Sequence, residues 1–60
     1  MNKIYISKVV AANDISALVR TLNARTRDGH ITCQTRIDQN RWLVRIACTY
    51  RDDADFVRAL

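Results

Sequence analysis

The stretch His30-Ile31-Thr32-Cys33-Gln34-Thr35-Arg36-Ile37-Asp38-Gln39-Asn40-Arg41-Trp42-Leu43-Val44-Arg45-Ile46-Ala47-Cys48-Thr49-Tyr50-Arg51 alternates apolar and polar residues on either side of a polar centre. Alternation with a period of two marks a half-buried strand, and two such runs around Gln39-Asn40 read as a β-hairpin with a two-residue loop. That loop length sets the register. It places Ile37 opposite Trp42, Thr35 opposite Val44, Cys33 opposite Ile46 and Ile31 opposite Cys48, so one face is almost wholly apolar. The other face then carries Gln34, Arg36, Arg41, Leu43, Arg45 and Arg51, with one acid, Asp38, directly across from Arg41.

Upstream, Lys3 to Val10 is rich in β-branched and aromatic residues, with Ile4 and Ile6 on one face and Lys3, Tyr5 and Ser7 on the other, which predicts a strand. The run Val9-Val10-Ala11-Ala12 either extends that strand or leads apolar chain into the next element. Asn13 or Asp14 is then placed to cap a helix whose apolar stripe is Ile15, Leu18, Val19 and Leu22, spaced i, i+3, i+4, i+7, with Arg20, Ala24 and Arg27 toward water. Asp28-Gly29 is expected to end it, glycine taking the left-handed cap conformation without steric cost. After the hairpin, Asp52 or Asp53 can cap a short helix with Phe56, Val57 and Leu60 as its apolar stripe. A helix that short depends on docking against the core.

The expected order is therefore β-α-β-β-α in one small α+β domain spanning residues 1–60. A right-handed crossover places the third strand between the first and the second, giving sheet order 1-3-2 with both helices on one face. This is a ferredoxin-like unit lacking its last strand. The third strand is expected to lie parallel to the first and antiparallel to the second, with Trp42, Val44, Ile46 and Tyr50 directed at the helices. The first strand is left with an open edge, and pairing of Lys3 to Lys8 with a second copy would give a homodimer with a six-stranded sheet. Lys3 and Lys8 are also the kind of charge that keeps such an edge apart.

Composition narrows the functional classes. A domain this small buries only about 60% of the surface its unfolded chain exposes, so association with another chain is expected to help it. Apolar residues make up 48% of the chain, with one glycine and no proline, so it is expected to fold. Eight arginines and two lysines oppose six aspartates, for a net charge of +4. That balance favours acidic partners, either a protein surface or nucleic acid. No run approaches the roughly 18 apolar residues of a membrane span, and Met1-Asn2-Lys3-Ile4 lacks a signal-peptide core, so a cytoplasmic protein without membrane contact is expected.

No catalytic grouping stands out. Asp52, Asp53 and Asp55 cluster where a helix start would use them as a cap and dipole complement. His30, beside Gly29 at the strand entry, has no neighbour placed to orient it as a general base. Cys33 and Cys48 fall on the inward face in the expected register, as inert core thiols on diagonal rather than opposed positions. With one histidine and cysteines fifteen positions apart, one chain cannot assemble a zinc cluster without carboxylates. Glycine-rich phosphate loops and nucleophile elbows are absent from the sequence. Neither an enzyme nor a cofactor-dependent protein is expected.

What remains is the polarised sheet. Tyr5, Gln34, Arg36, Arg41, Leu43, Arg45 and Arg51 are expected to form a basic face with apolar anchors, joined by Ser7 and Thr32. Arginine beside an aliphatic or aromatic anchor is typical of protein interfaces. The sequence thus predicts a non-enzymatic protein-binding module, a small regulator or inhibitor of the kind mobile elements encode. It would occlude an acidic or nucleic-acid-facing surface of a protein or nucleoprotein partner. The alternative on the same face is direct binding of single-stranded DNA or RNA, bases stacking on the aromatic ring and phosphates meeting arginine.

Overall fold

The structure, a computed structural model, describes residues 2–60; Met1, at the head of the segment read for a signal peptide, lies outside them. Strand β1 (Ile4–Ala11) leads through a 3-10 turn (Ala12–Asp14) into helix α1 (Ile15–Arg25), followed by β2 (His30–Arg36), β3 (Arg41–Cys48) and helix α2 (Arg51–Arg58). The three strands form one sheet in the order β1-β3-β2, as the sequence predicts.

Every pairing in the sheet is antiparallel, β1 with β3 included. The expected parallel arrangement of those two strands fails on parity. The crossover through α1 makes β1 and β2 run the same way, and the hairpin reverses β3 relative to β2, so β3 must also oppose β1.

The hairpin differs from expectation by one residue. Four residues, Ile37 to Asn40, separate the strands. The Ile37 and Asp38 amides both donate to the Arg41 carbonyl, at 3.0 and 3.3 Å, while the Asp38 carboxylate accepts the Asn40 amide at 2.9 Å. An aspartate side chain bonded to the backbone two residues on builds a turn of its own, and that turn consumes the extra residue. Arg36 therefore faces Trp42, Thr35 faces Leu43, Gln34 faces Val44 and Cys33 faces Arg45. A slip of one residue exchanges the faces of a strand. A bulge between Ile31 and Cys33, where Thr32 is the extra residue, adds a second shift in the same direction and so restores the faces, leaving Ile31 on the core side opposite Ile46 rather than Cys48.

The core lies between one sheet face and both helices. Ile6, Val44, Ile46 and Cys48 from the sheet pack with Leu22 of α1 and with Ala54 and Val57 of α2; Ile4, Val10, Leu18, Ile31, Trp42 and Phe56 surround them. Each fully buried aliphatic side chain in such a cluster contributes about 1.5–3 kcal/mol. Val19, expected in the α1 stripe, is exposed, as is Leu60 beyond α2. Tyr50, expected to point at the helices, instead immediately precedes α2 as its N-cap residue and lies half outside, stacked against Arg27.

The α1–β2 connection holds the C-terminal half in place. The α1 helix ends at Arg25, with the Thr26 amide closing onto the Leu22 carbonyl at 3.0 Å. Gly29 is not in the left-handed region, contrary to expectation. Its backbone lies so close to Thr26 that a Cβ would come 2.5 Å from Oγ1, the atom that accepts the Gly29 amide. Glycine serves close approach here rather than an unusual dihedral. Arg27 is exposed, as expected, and also donates its amide to Asp53 Oδ2 at 2.9 Å, pairs with Asp52 and sits 4.0 Å from the Tyr50 ring centroid. Asp52 and Asp53 occupy the first turn of α2, where a negative charge complements the helix dipole, and neither caps it through its side chain.

Candidate interaction surface

The sheet face away from the helices is built in rows by strand register. Val9, Leu43 and Thr35 make one row; Ser7, Arg45 and Cys33 make the next; Tyr5, Ala47 and His30 make the third. Ala11 and Arg41 extend it toward the hairpin, where Ile37 bonds opposite Arg41. Tyr5 (52% exposed), Val9 (56%), Leu43 (40%) and Ile37 (47%) leave a band of apolar surface open to solvent. Ala47, between Tyr5 and His30, is small enough to be fully covered.

Two arginines lie on this face in different states. The Arg45 guanidinium is 4.1 Å from the Tyr5 ring centroid, a cation–π stack, and no carboxylate among the described residues pairs with it. Arg41 is clamped by Asp38, whose Oδ2 accepts Nε at 2.8 Å and lies 2.7 Å from Nη2. The Arg41 guanidinium and the Asn40 amide hold the Asp38 carboxyl below the usual carboxylate range. Arg45 thus carries the uncompensated charge, and Arg41 presents a neutralised pair.

Of the residues predicted to share the face, Tyr5, Leu43, Arg45 and Arg41 come together. Gln34 and Arg36 do not. Slipped by one position, they stand with Val44 and Trp42 on the helix side, and Gln34 lines a groove there with Val19, Leu22 and Gly29. Arg51 is also elsewhere, because β3 ends at Cys48 and Arg51 opens α2. Lys3 precedes β1 and pairs with Asp28 at 3.7 Å. Cys33, expected in the core, is exposed on the open face, while Cys48 is buried. Burial pushes the Cys48 thiol up, and the Asp53 and Asp28 carboxylates add to the effect.

Val9 and Thr35 were not among the expected site residues. Val9 was legible in principle: the alternation Tyr5-Ser7-Val9 simply continues along the strand. Thr35 falls on the core face only with a two-residue loop, and the longer turn puts it opposite Leu43.

Comparison with protein-family models, curated proteins and solved structures gave no match. The chemistry of the face must speak for itself. Among the described residues no group of three His, Cys, Asp or Glu side chains is placed to hold a metal ion, and no helix is long and apolar enough to cross a membrane. The face offers apolar contact from four side chains, one stacked cation, and hydroxyls from Ser7 and Thr35. Such a surface can desolvate an apolar partner patch and receive an acidic group beside it.

Proposed function

We propose that the protein is a non-enzymatic binding module that docks an acidic protein surface on its open sheet face, acting as a small regulator or inhibitor by occlusion. The observation that carries this reading is the Tyr5–Arg45 stack lying beside the exposed Val9–Leu43 pair. Aromatic and arginine anchors next to aliphatic surface are the composition of interface hot spots, and a stacked guanidinium is ordered before the partner arrives.

Direct binding of single-stranded nucleic acid is the second reading, and the same stack favours it, because a base can continue an Arg–Tyr pile. Against it, among the described residues the face carries one aromatic ring and one arginine without a carboxylate partner, a thin platform for successive bases and phosphates. The two readings separate in one set of measurements. Proteins bound to the wild type are compared with those bound to Leu43→Asp and Arg45→Glu, and a mixed-sequence oligonucleotide is titrated by fluorescence anisotropy across salt. The protein-binding reading expects a specific protein retained by wild type and lost with Leu43→Asp, and no oligonucleotide binding. Oligonucleotide binding that weakens with salt, at a log–log slope of about −0.7 per phosphate contacted, and that vanishes in Arg45→Glu, would replace it.

A further inference from the structure

The antiparallel ladder shows which backbone groups of β1 are spent. The Ala12 amide donates to the Asn40 carbonyl at 2.7 Å, and these residues continue the β1–β3 register directly. In an antiparallel pair, bonded and non-bonded residue pairs alternate. Ile4, Ile6, Lys8 and Val10 therefore exchange bonds with β3, and the amides and carbonyls of Tyr5, Ser7 and Val9 point out from the free edge. The two sheet edges are not alike. The edge at β2 is interrupted by the bulge at Thr32, whereas β1 keeps eight consecutive register positions without one. Bulges, prolines and outward charges are the usual means of blunting an edge. Here β1 has no proline, Lys8 folds onto the Arg58 carbonyl at 3.3 Å, and Lys3 turns to Asp28.

A groove of about 330 Å³ runs along the same strand, lined by Lys8 to Ala11, by Asp14, Ala17 and Leu18 at the start of α1, and by Leu60. Val9 and Ala11 belong to the opposite sheet face, so their place in the lining means that the groove follows the edge of β1 as well as its helix side. Unspent backbone groups beside an apolar groove are what strand addition uses: main-chain bonds supply affinity, and alternate side chains enter a pocket.

We infer that the β1 edge takes an extended, acidic segment of a partner protein as a fourth strand, its apolar side chains entering the groove beside Val10, Ala17, Leu18 and Leu60. This rests on the protein-binding reading and names the form of the partner. Charge selects the acidic segment. The chain is +4, and near this edge Lys8 and Arg45 lack carboxylate partners among the described residues. On alternate positions such a strand presents acids to Arg45 on the open face and apolar groups to the groove. A second copy of this chain fits less well. Its helix-side residues on β1, Ile4, Ile6 and Val10, are committed to its own core and cannot fill the groove, and the two copies would both be cationic.

The test uses the whole chain and an eight-residue peptide alternating aspartate with leucine, with a lysine–leucine peptide as control. Amide hydrogen exchange is followed by NMR with and without each peptide. The expected result is protection of the Tyr5, Ser7 and Val9 amides by the acidic peptide alone. Ser7→Pro, which removes an edge amide the fold does not use, should weaken binding about tenfold or more while the thermal melt is kept. Val19→Asp, in the groove beside β2 and away from this edge, should still bind. Three results overturn the inference. One is protection of those amides without peptide that grows with protein concentration, which would assign the edge to a second copy. Another is peptide binding lost in Leu43→Asp but kept in Ser7→Pro, which would leave the open face as the docking surface and the protein-binding reading intact. The last is no protection at any peptide concentration.

Discussion

Asp28 reaches across to Thr49: its Oδ1 accepts the Thr49 amide at 3.1 Å and its Oδ2 accepts the Thr49 hydroxyl, although the residues lie 21 positions apart. Lys3 approaches the same carboxylate at 3.7 Å. One side chain thus ties together the start of β1, the α1–β2 connection and the end of β3. The hydroxyl and amide of Thr49, with Lys3 and His30 nearby, lower the Asp28 pKa below its ordinary value.

A depressed folded-state pKa means that the unfolded chain takes up a proton first as pH falls. The stabilisation from Asp28 is complete above the unfolded value of about 3.9 and is lost as pH drops from there through the lower folded value. Urea unfolding at neutral pH and in that acid window should show wild type losing stability. Asp28→Asn should be weaker at neutral pH and lose less on acidification. Equal acid sensitivity in the two proteins would remove Asp28 from this role.

Leu22 is the one residue of α1 that is fully buried. Leu22→Ala should cost about 2–5 kcal/mol by lost transfer energy and cavity formation, close to the whole stability of a domain this small. Urea denaturation should find it largely unfolded at room temperature, whereas Val19→Ala, on the exposed side of the same helix, should stay within about 0.5 kcal/mol of wild type.

Gly29→Ala should destabilise by about 1–3 kcal/mol, because its Cβ would meet Thr26 Oγ1 at 2.5 Å. In a Thr26→Ala background that atom is gone, so the same substitution should cost less. A double-mutant cycle by denaturant unfolding reads the coupling directly, and strictly additive costs would locate the strain elsewhere.

The two thiols should separate in labelling. Cys33 is exposed on the open face and Cys48 is buried with a raised pKa. A chromogenic disulfide reagent near neutral pH should modify one thiol at the rate of a free cysteine and the second only as fast as the protein opens. Cys33→Ser should delete the fast phase and Cys48→Ser the slow one. A single fast phase for both thiols would contradict the packing of β3 against the helices.

Both helices and the strands were readable from periodicity, because Leu18 and Leu22, then Val44 and Ile46, then Phe56 and Val57, must each bury one side, and the crossover rule then put β3 in the centre. The register of β2 was not readable. It depends on the Asp38 carboxylate bonding the Asn40 amide, a three-dimensional event that costs one residue, and on the Thr32 bulge, which costs a second and so restores the faces. Between those two compensating shifts every β2 residue changes face, which is why Gln34 and Arg36 leave the expected surface while Cys33 and Thr35 join it. Tyr5, Leu43 and Arg45 lie on the open face as expected, because the alternation of β1 and β3 does not depend on the register of β2. The contacts of Arg27 with Asp52, Asp53 and Tyr50 had no periodic signal at all, since they join residues from a loop and a distant helix.

The sheet order also dictates a timetable on the ribosome. The β1 strand is made first, yet its only partner, β3, is made after α1 and β2, and the α2 residues that cover both follow later still. Until Arg41 to Cys48 have emerged, the nascent β1 has two open edges and an uncovered apolar row of Ile4, Ile6 and Val10. The β1 strand therefore cannot pair until the last strand of the sheet is available, and until then its apolar row and both its edges stay open to wrong strand partners.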